Sequence, residues 1–290
     1  MMDKAYPAKI LLIGEYTVTK GSPALAIPFF SLSGKWLFKQ GVVDRSLKNF
    51  HQYIIALPLQ NFIDTSGFEK DIEKGLYFDS KIPSGYGLGS SGALVAAVYD
   101  VYGINKKQKP EELKKDLALL ESHFHGESSG IDPLVSYLKE PVLLSHERSI
   151  KSCKIPSSFP FTFFILDSFR ERNTQEWVRL FNEKNVHEDI FPIIVQTLTT
   201  LNKIAIDSLL AENYDVFWST FQKISSLQYD HFREFIPYGH QEIWKKSLLD
   251  EKYVLKLCGA GGGGFSLGIT KNSNLILNDL SQFAPGWISL

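Results

Sequence analysis

The chain has 290 residues, of which 44% are hydrophobic and 22% charged, an ordinary globular balance with room for a sizeable core. Its 31 basic and 32 acidic residues leave a net charge of −1, which gives no basis for non-specific attraction to nucleic acid or acidic membranes. Two cysteines, Cys153 and Cys258, are too few for a disulfide scaffold and fit a reducing, cytoplasmic setting. The apolar stretch Ile10–Ile13 is too short for a signal-peptide core, and no uncharged run approaches the roughly 20 residues of a bilayer span.

In chain order, Ile10–Ile13 reads as a buried strand turning at Gly14. Ala24–Ile27 and Gly34–Phe38 read as two further strands split by loop residues, and 45–75 is ambiguous. Leu76–Ile82 alternates as a strand and enters Gly85-Tyr86-Gly87-Leu88-Gly89-Ser90-Ser91-Gly92. Ala93–Tyr102 is helical, with Gly103 placed to end it. Pro110 opens the next helix, whose apolar face is Leu113, Leu117, Leu120 and Phe124. Asp132-Pro133 starts a short helix to Leu138, and Val142–Leu144 is a strand. The polar stretch 145–160 is the candidate boundary, giving domains 1–152 and 153–290. Phe161–Leu166 is then a strand, 174–184, 189–210 and 213–227 are helical, and Val254–Leu257 and Phe265–Ile269 flank the run Gly259–Gly264. Strands and helices that do not alternate regularly indicate an α+β fold.

The first glycine cluster sits between a strand and a helix. Glycine lets the backbone approach a bound group, and a helix N-terminus offers unpaired amides, so the two make a phosphate cradle. Ser90 and Ser91 add hydroxyls suited to Mg2+. The bland reading is a tight turn with serines capping a helix. No Gly-Lys-Ser/Thr ending is present, so this is not a Walker A loop. The second run is either a flexible hairpin or backbone approaching a ligand or another loop.

Three charged residues have bland readings when taken singly: Lys9 as a solvated strand start, Glu121 as an exposed helix residue and Asp132 as an N-cap. Taken jointly they suit phosphoryl transfer, which needs a magnesium site, positive charge on the transferred group and a base for the acceptor hydroxyl. His123 and His125 lack a third zinc ligand nearby and are expected to be structural.

Three segments in order resemble the motifs of GHMP kinases: Pro7–Tyr16, Pro83–Ala93 and Lys256–Gly264. Glu121-Ser122-His123-Phe124-His125-Gly126-Glu127-Ser128-Ser129-Gly130-Ile131-Asp132 is similar to the mevalonate kinase segment, and Arg172-Asn173-Thr174 also resembles a mevalonate kinase segment. The resemblance implies a two-domain α+β kinase with its active site in the interdomain cleft, using ATP and Mg2+ on a small carboxylated alcohol, mevalonate first. It implies Asp132 as base, Lys9 beside it, Ser91 and Glu121 on Mg2+, and Gly85 to Gly92 around the ATP phosphates. Glu15, Tyr16, Thr174, Gly259, Ala260 and Gly261 would line or border the acceptor. The partner expected is a small-molecule substrate, without nucleic acid or membrane, and a homodimer stays open. Tyr16 stands where animal mevalonate kinases carry histidine and is similar to some phosphomevalonate kinases. Cys258 stands where threonine or serine is usual, and the chain is shorter than many relatives. Phosphomevalonate kinase, homoserine kinase and a non-catalytic GHMP-fold binding protein are the alternatives.

Overall fold

The structure is a computed structural model that describes residues 4–57, 62–145, 149–156, 159–275, 280–283 and 286–288. The chain opens with β1 (Ala5–Ile13) and β2 (Ala24–Phe38). The latter is one continuous strand where two were expected. Residues Ala24–Ala26 and Gly34–Phe38 pair with different neighbours, and Pro28 falls between these two stretches.

The ambiguous region holds α1 (Arg45–Ala56) and α2 (Thr65–Glu73). Asp44 caps the first by accepting from the Ser46 and Leu47 amides, and Asp64 caps the second by accepting from Gly67. Leu47, Phe50, His51 and Ile54 form the buried face of α1. Next come β3 (Leu76–Ser80), α3 (Ser90–Tyr102), α4 (Pro110–His125) and α5 (Ile131–Leu138). Helix α3 begins at Ser90 rather than Ala93, so both serines of the glycine cluster lie in its first turn.

The remaining elements are β4 (Val142–Leu144), β5 (Ile150–Ser152), β6 (Thr162–Asp167), α6 (Thr174–His187), α7 (Phe191–Leu210) and α8 (Tyr214–His231), then α9 (Gln241–Asp250), β7 (Tyr253–Leu257), β8 (Phe265–Thr270) and β9 (Gly286–Ile288). Strand β5 forms within the expected boundary stretch, and 146–148 and 157–158 of that stretch lie outside the described residues. One sheet runs β1-β2-β4-β5 with β3 also on β2, and the other runs β7-β8-β6-β9. The mixed helix-and-sheet architecture is the expected α+β class.

Contacts divide the chain into two units. Unit 1 comprises Met1–Lys9, Pro28–Pro83 and Leu88–Glu140. Its core gathers Trp36, Phe50, Phe68, Val95, Tyr99, Leu113, Leu117 and Leu134. Unit 2 comprises Ile10–Ile27, Ser84–Gly87 and Pro141–Leu290. Its core is rich in aromatics, with Phe163, Phe164, Phe217, Phe221, Trp244 and Tyr253. Helix α7 is long and apolar enough to cross a membrane by length and composition. It carries Lys203 and Asp207 and buries Val195, Leu198, Ile206 and Leu209, and α8 is its main neighbour. One face of α7 is thus packed, while Ile193 and Ile204 on the same helix are exposed.

Candidate active site

In unit 1, three elements converge on one ion pair. Lys9 sits in β1 with its ammonium 2.7 Å from Asp132 Oδ1, and its amide donates to the Leu88 carbonyl at 2.8 Å. Asp132 lies in the first turn of α5, behind an N-cap that is Gly130 in the left-handed region. The reading of Asp132 as a cap is therefore corrected: its carboxylate pairs with Lys9. A negative group in the first turn is also favoured by the helix dipole. Lys9 is nearly buried, so a solvated strand start does not describe it.

The glycine cluster supplies the third element. Gly89 caps α3 at φ 73°, a conformation that costs glycine little. Gly92 lies against the start of α5, where a Cβ would stand 2.8 Å from the Asp132 backbone. Side-chain-free packing brings the N-terminal turn of α3 beside Asp132. The first amides of a helix have no partner within it, and they form an anion-binding surface.

Beside this lies an oxygen-rich pair. Ser91 Oγ is 3.3 Å from Glu121 Oε1 and 2.9 Å from His125 Nε2. Glu121 is 4% exposed, in contrast to the bland reading of an exposed helix residue. Burial, reinforced by the nearby Asp132, pushes its carboxyl up to about 7, opposed by Ser128, Lys9 and Ser91. Among the described residues no group of three or more Asp, Glu, His or Cys could hold a metal. A serine and one carboxylate nonetheless suit Mg2+, which takes few protein oxygens and completes its shell with water and phosphate. His123 packs against Phe50, Tyr53 and Phe124 as expected, whereas His125 is exposed and meets Ser91.

Unit 2 holds the other candidates. Glu15 is buried and paired with Lys256, whose ammonium also donates to the Leu257 carbonyl at 2.7 Å. Tyr16 has φ 60°, stacks on Phe181 at 4.5 Å, and donates its hydroxyl to the Ala260 carbonyl. Burial raises its phenol well above the usual range. Thr174 is exposed at the start of α6. The run Gly259–Gly264 approaches other loops, as one sequence reading held: Gly262 donates to Phe235 O at 2.6 Å and Gly264 to Arg170 O at 2.7 Å. Arg172 donates from its amide to Gly85 O at 3.1 Å and from Nη1 to Cys258 O at 2.9 Å. It thus ties the part of the cluster comprising Gly85, Tyr86 and Gly87 to the start of Gly259, Ala260 and Gly261. Lys256 and Ser128 were not singled out in the sequence. An isolated lysine inside an apolar strand was the one available signal for the former.

Residues 51–140 match the GHMP kinases N terminal domain. The chain is 26% identical to a mevalonate kinase from Archaeoglobus fulgidus over 287 residues, covering 93% of each chain. Its fold resembles the L. major mevalonate kinase crystallised with R-mevalonate (TM-score 0.68, 18% identity, 96% of this chain and 90% of that one). It also resembles the Streptococcus pneumoniae phosphomevalonate kinase in complex with phosphomevalonate and AMPPNP (TM-score 0.70, 15% identity, 99% and 98%).

Proposed function

We propose that this chain, which matches the GHMP kinases N terminal domain over residues 51–140 and is similar to a mevalonate kinase along 93% of its length, is an ATP-dependent GHMP kinase whose acceptor is mevalonate and whose product is 5-phosphomevalonate. The observation that carries the reading is the Lys9–Asp132 pair, held at 2.7 Å beside the start of α3. Sequence similarity along 93% of a mevalonate kinase supports the choice of acceptor.

In this reading Asp132 takes the proton of the acceptor hydroxyl as its oxygen forms a bond to the γ-phosphorus, and the bond from that phosphorus to the ADP oxygen breaks. Lys9 orients the Asp132 carboxylate and offsets negative charge on the phosphoryl group in transit. The backbone of Gly85 to Gly92 and the first amides of α3 hold the phosphates. Ser91 and Glu121 would hold Mg2+, which would supply charge neutralisation for the phosphates. Tyr16 with Gly259, Ala260 and Gly261 border the acceptor, Glu15 supports that turn through Lys256, and Thr174 adds a hydroxyl. The setting is cytoplasmic.

Phosphomevalonate is the second reading, favoured by Tyr16 and by the Arg172 guanidinium at the second glycine run. An ADP-coupled assay with mevalonate, phosphomevalonate and homoserine separates them. Mevalonate should give the highest kcat/KM. Turnover confined to phosphomevalonate transfers the assignment, and turnover with none of the three removes it.

A further inference from the structure

Ser128 stands in the turn between α4 and α5, and its hydroxyl has two partners of fixed sense. The Gly130 N–H lies 2.9 Å from Ser128 Oγ, and an amide N–H can only donate. The hydroxyl proton therefore goes to the other partner, Oε2 of Glu121. That bond commits one oxygen of a carboxylate that is 4% exposed, and the other oxygen faces Ser91. Gly130 is the N-cap of α5, and Asp132 follows two residues later. One hydroxyl thus joins the buried carboxylate of α4 to the helix start that carries the Lys9-paired aspartate.

We propose that Ser128 is a positioning residue for phosphoryl transfer: by donating to Oε2 it holds Glu121 with Oε1 presented to the metal–nucleotide, and it fixes that carboxylate relative to Asp132. The proposal rests on the reading of Ser91 and Glu121 as the Mg2+ ligands. It differs from a plain turn-stabilising role, in which Ser128 would serve only the Gly130 amide. A plain turn residue affects melting temperature and leaves metal affinity alone. A partner that orients a ligand changes metal affinity, by about tenfold or more when removed.

The test uses the full chain, with Mn2+ as the probe and ADP present. Free Mn2+ is read by electron paramagnetic resonance, alongside melting temperature and the Mg2+ dependence of turnover. S128A should weaken Mn2+ binding about tenfold and raise the Mg2+ needed for half-maximal turnover in parallel. Its kcat at saturating Mg2+ should fall far less. S128T, which keeps the hydroxyl, should bind Mn2+ close to wild type. S128A added to Glu121→Gln should cost nothing further, because Ser128 acts through Glu121. Mn2+ affinity unchanged in S128A overturns the proposal, as does an S128T as weak as S128A. If S128A does not fold, Ser128→Cys, a weaker donor of similar shape, is read in its place. Wild-type failure to phosphorylate mevalonate or phosphomevalonate sinks the acceptor assignment and leaves the Mn2+ comparison standing. Wild-type failure to bind Mn2+ with ADP sinks both.

Discussion

At the scale of single residues, the candidate site depends on side chains that are present and on one that is missing. Asp132 and Lys9 form the ion pair, and Gly92 keeps α3 close enough for that pair to lie at the helix start. Asp132→Asn removes a base and keeps the shape. Turnover should fall by at least about a hundredfold while nucleotide affinity, measured by calorimetry, stays near wild type. Near-normal turnover would reduce Asp132 to a structural partner of Lys9. Gly92→Ala adds a carbon 2.8 Å from the Asp132 backbone, which cannot swing away as a flexible side chain can. Overpacking of this kind costs about 1–3 kcal/mol. The variant should remain folded, melt lower and lose turnover, and kcat together with thermal unfolding checks this.

At the scale of elements, buried polar contacts fix how loops meet strands. His240 precedes α9 and is fully buried. Its Nε2 donates to the Asp167 carbonyl at 3.1 Å, so its Nδ1 accepts from Ser266 at 2.8 Å. Burial lowers its folded-state pKa below the ordinary 6.5, against a smaller opposing effect of Asp167. The unfolded chain therefore takes up a proton first on acidification. This contribution to stability is fully present above about pH 6.5 and is lost as pH falls through the folded value. Glu121, whose carboxyl is raised to about 7, acts in the opposite sense over the same range, so the His240 contribution is read by difference: in denaturant melts from pH 7.5 to 5 the wild-type midpoint should fall relative to that of His240→Asn. Lys256 and Glu15 form a second buried contact, between β7 and the turn after β1. Lys256→Met alone leaves a buried carboxylate and should cost about 3–5 kcal/mol. Adding Glu15→Gln should recover much of the loss, and urea melts compare the two.

At the scale of the whole molecule, the chain passes repeatedly between its two units, since Ile10–Ile27 and Ser84–Gly87 belong with the C-terminal residues. Expressed alone, 153–290 lacks Glu15 beneath Lys256 and Thr17 beneath Asn202. Such a fragment should show poorly dispersed amide resonances, and a well-dispersed spectrum would mean that its core is sufficient. The glycine cluster, the helix at Pro110 and the strands that flank the second glycine run were legible in the sequence. Turn chemistry, helix starts and apolar periodicity are local properties, written within a few residues of where they act. The caps Asp44 and Asp64, and the helices they open in the ambiguous stretch 45–75, were found only in the structure. The residue types for phosphoryl transfer could likewise be named from sequence alone. The meeting of Lys9 with Asp132, the burial of Glu121, the pairing of Glu15 with Lys256 and the double role of Ser128 could not. Those contacts depend on where β1, α4, α5 and β7 come to lie, which long-range packing of apolar faces decides, and a side chain's charge state and partners follow from that placement.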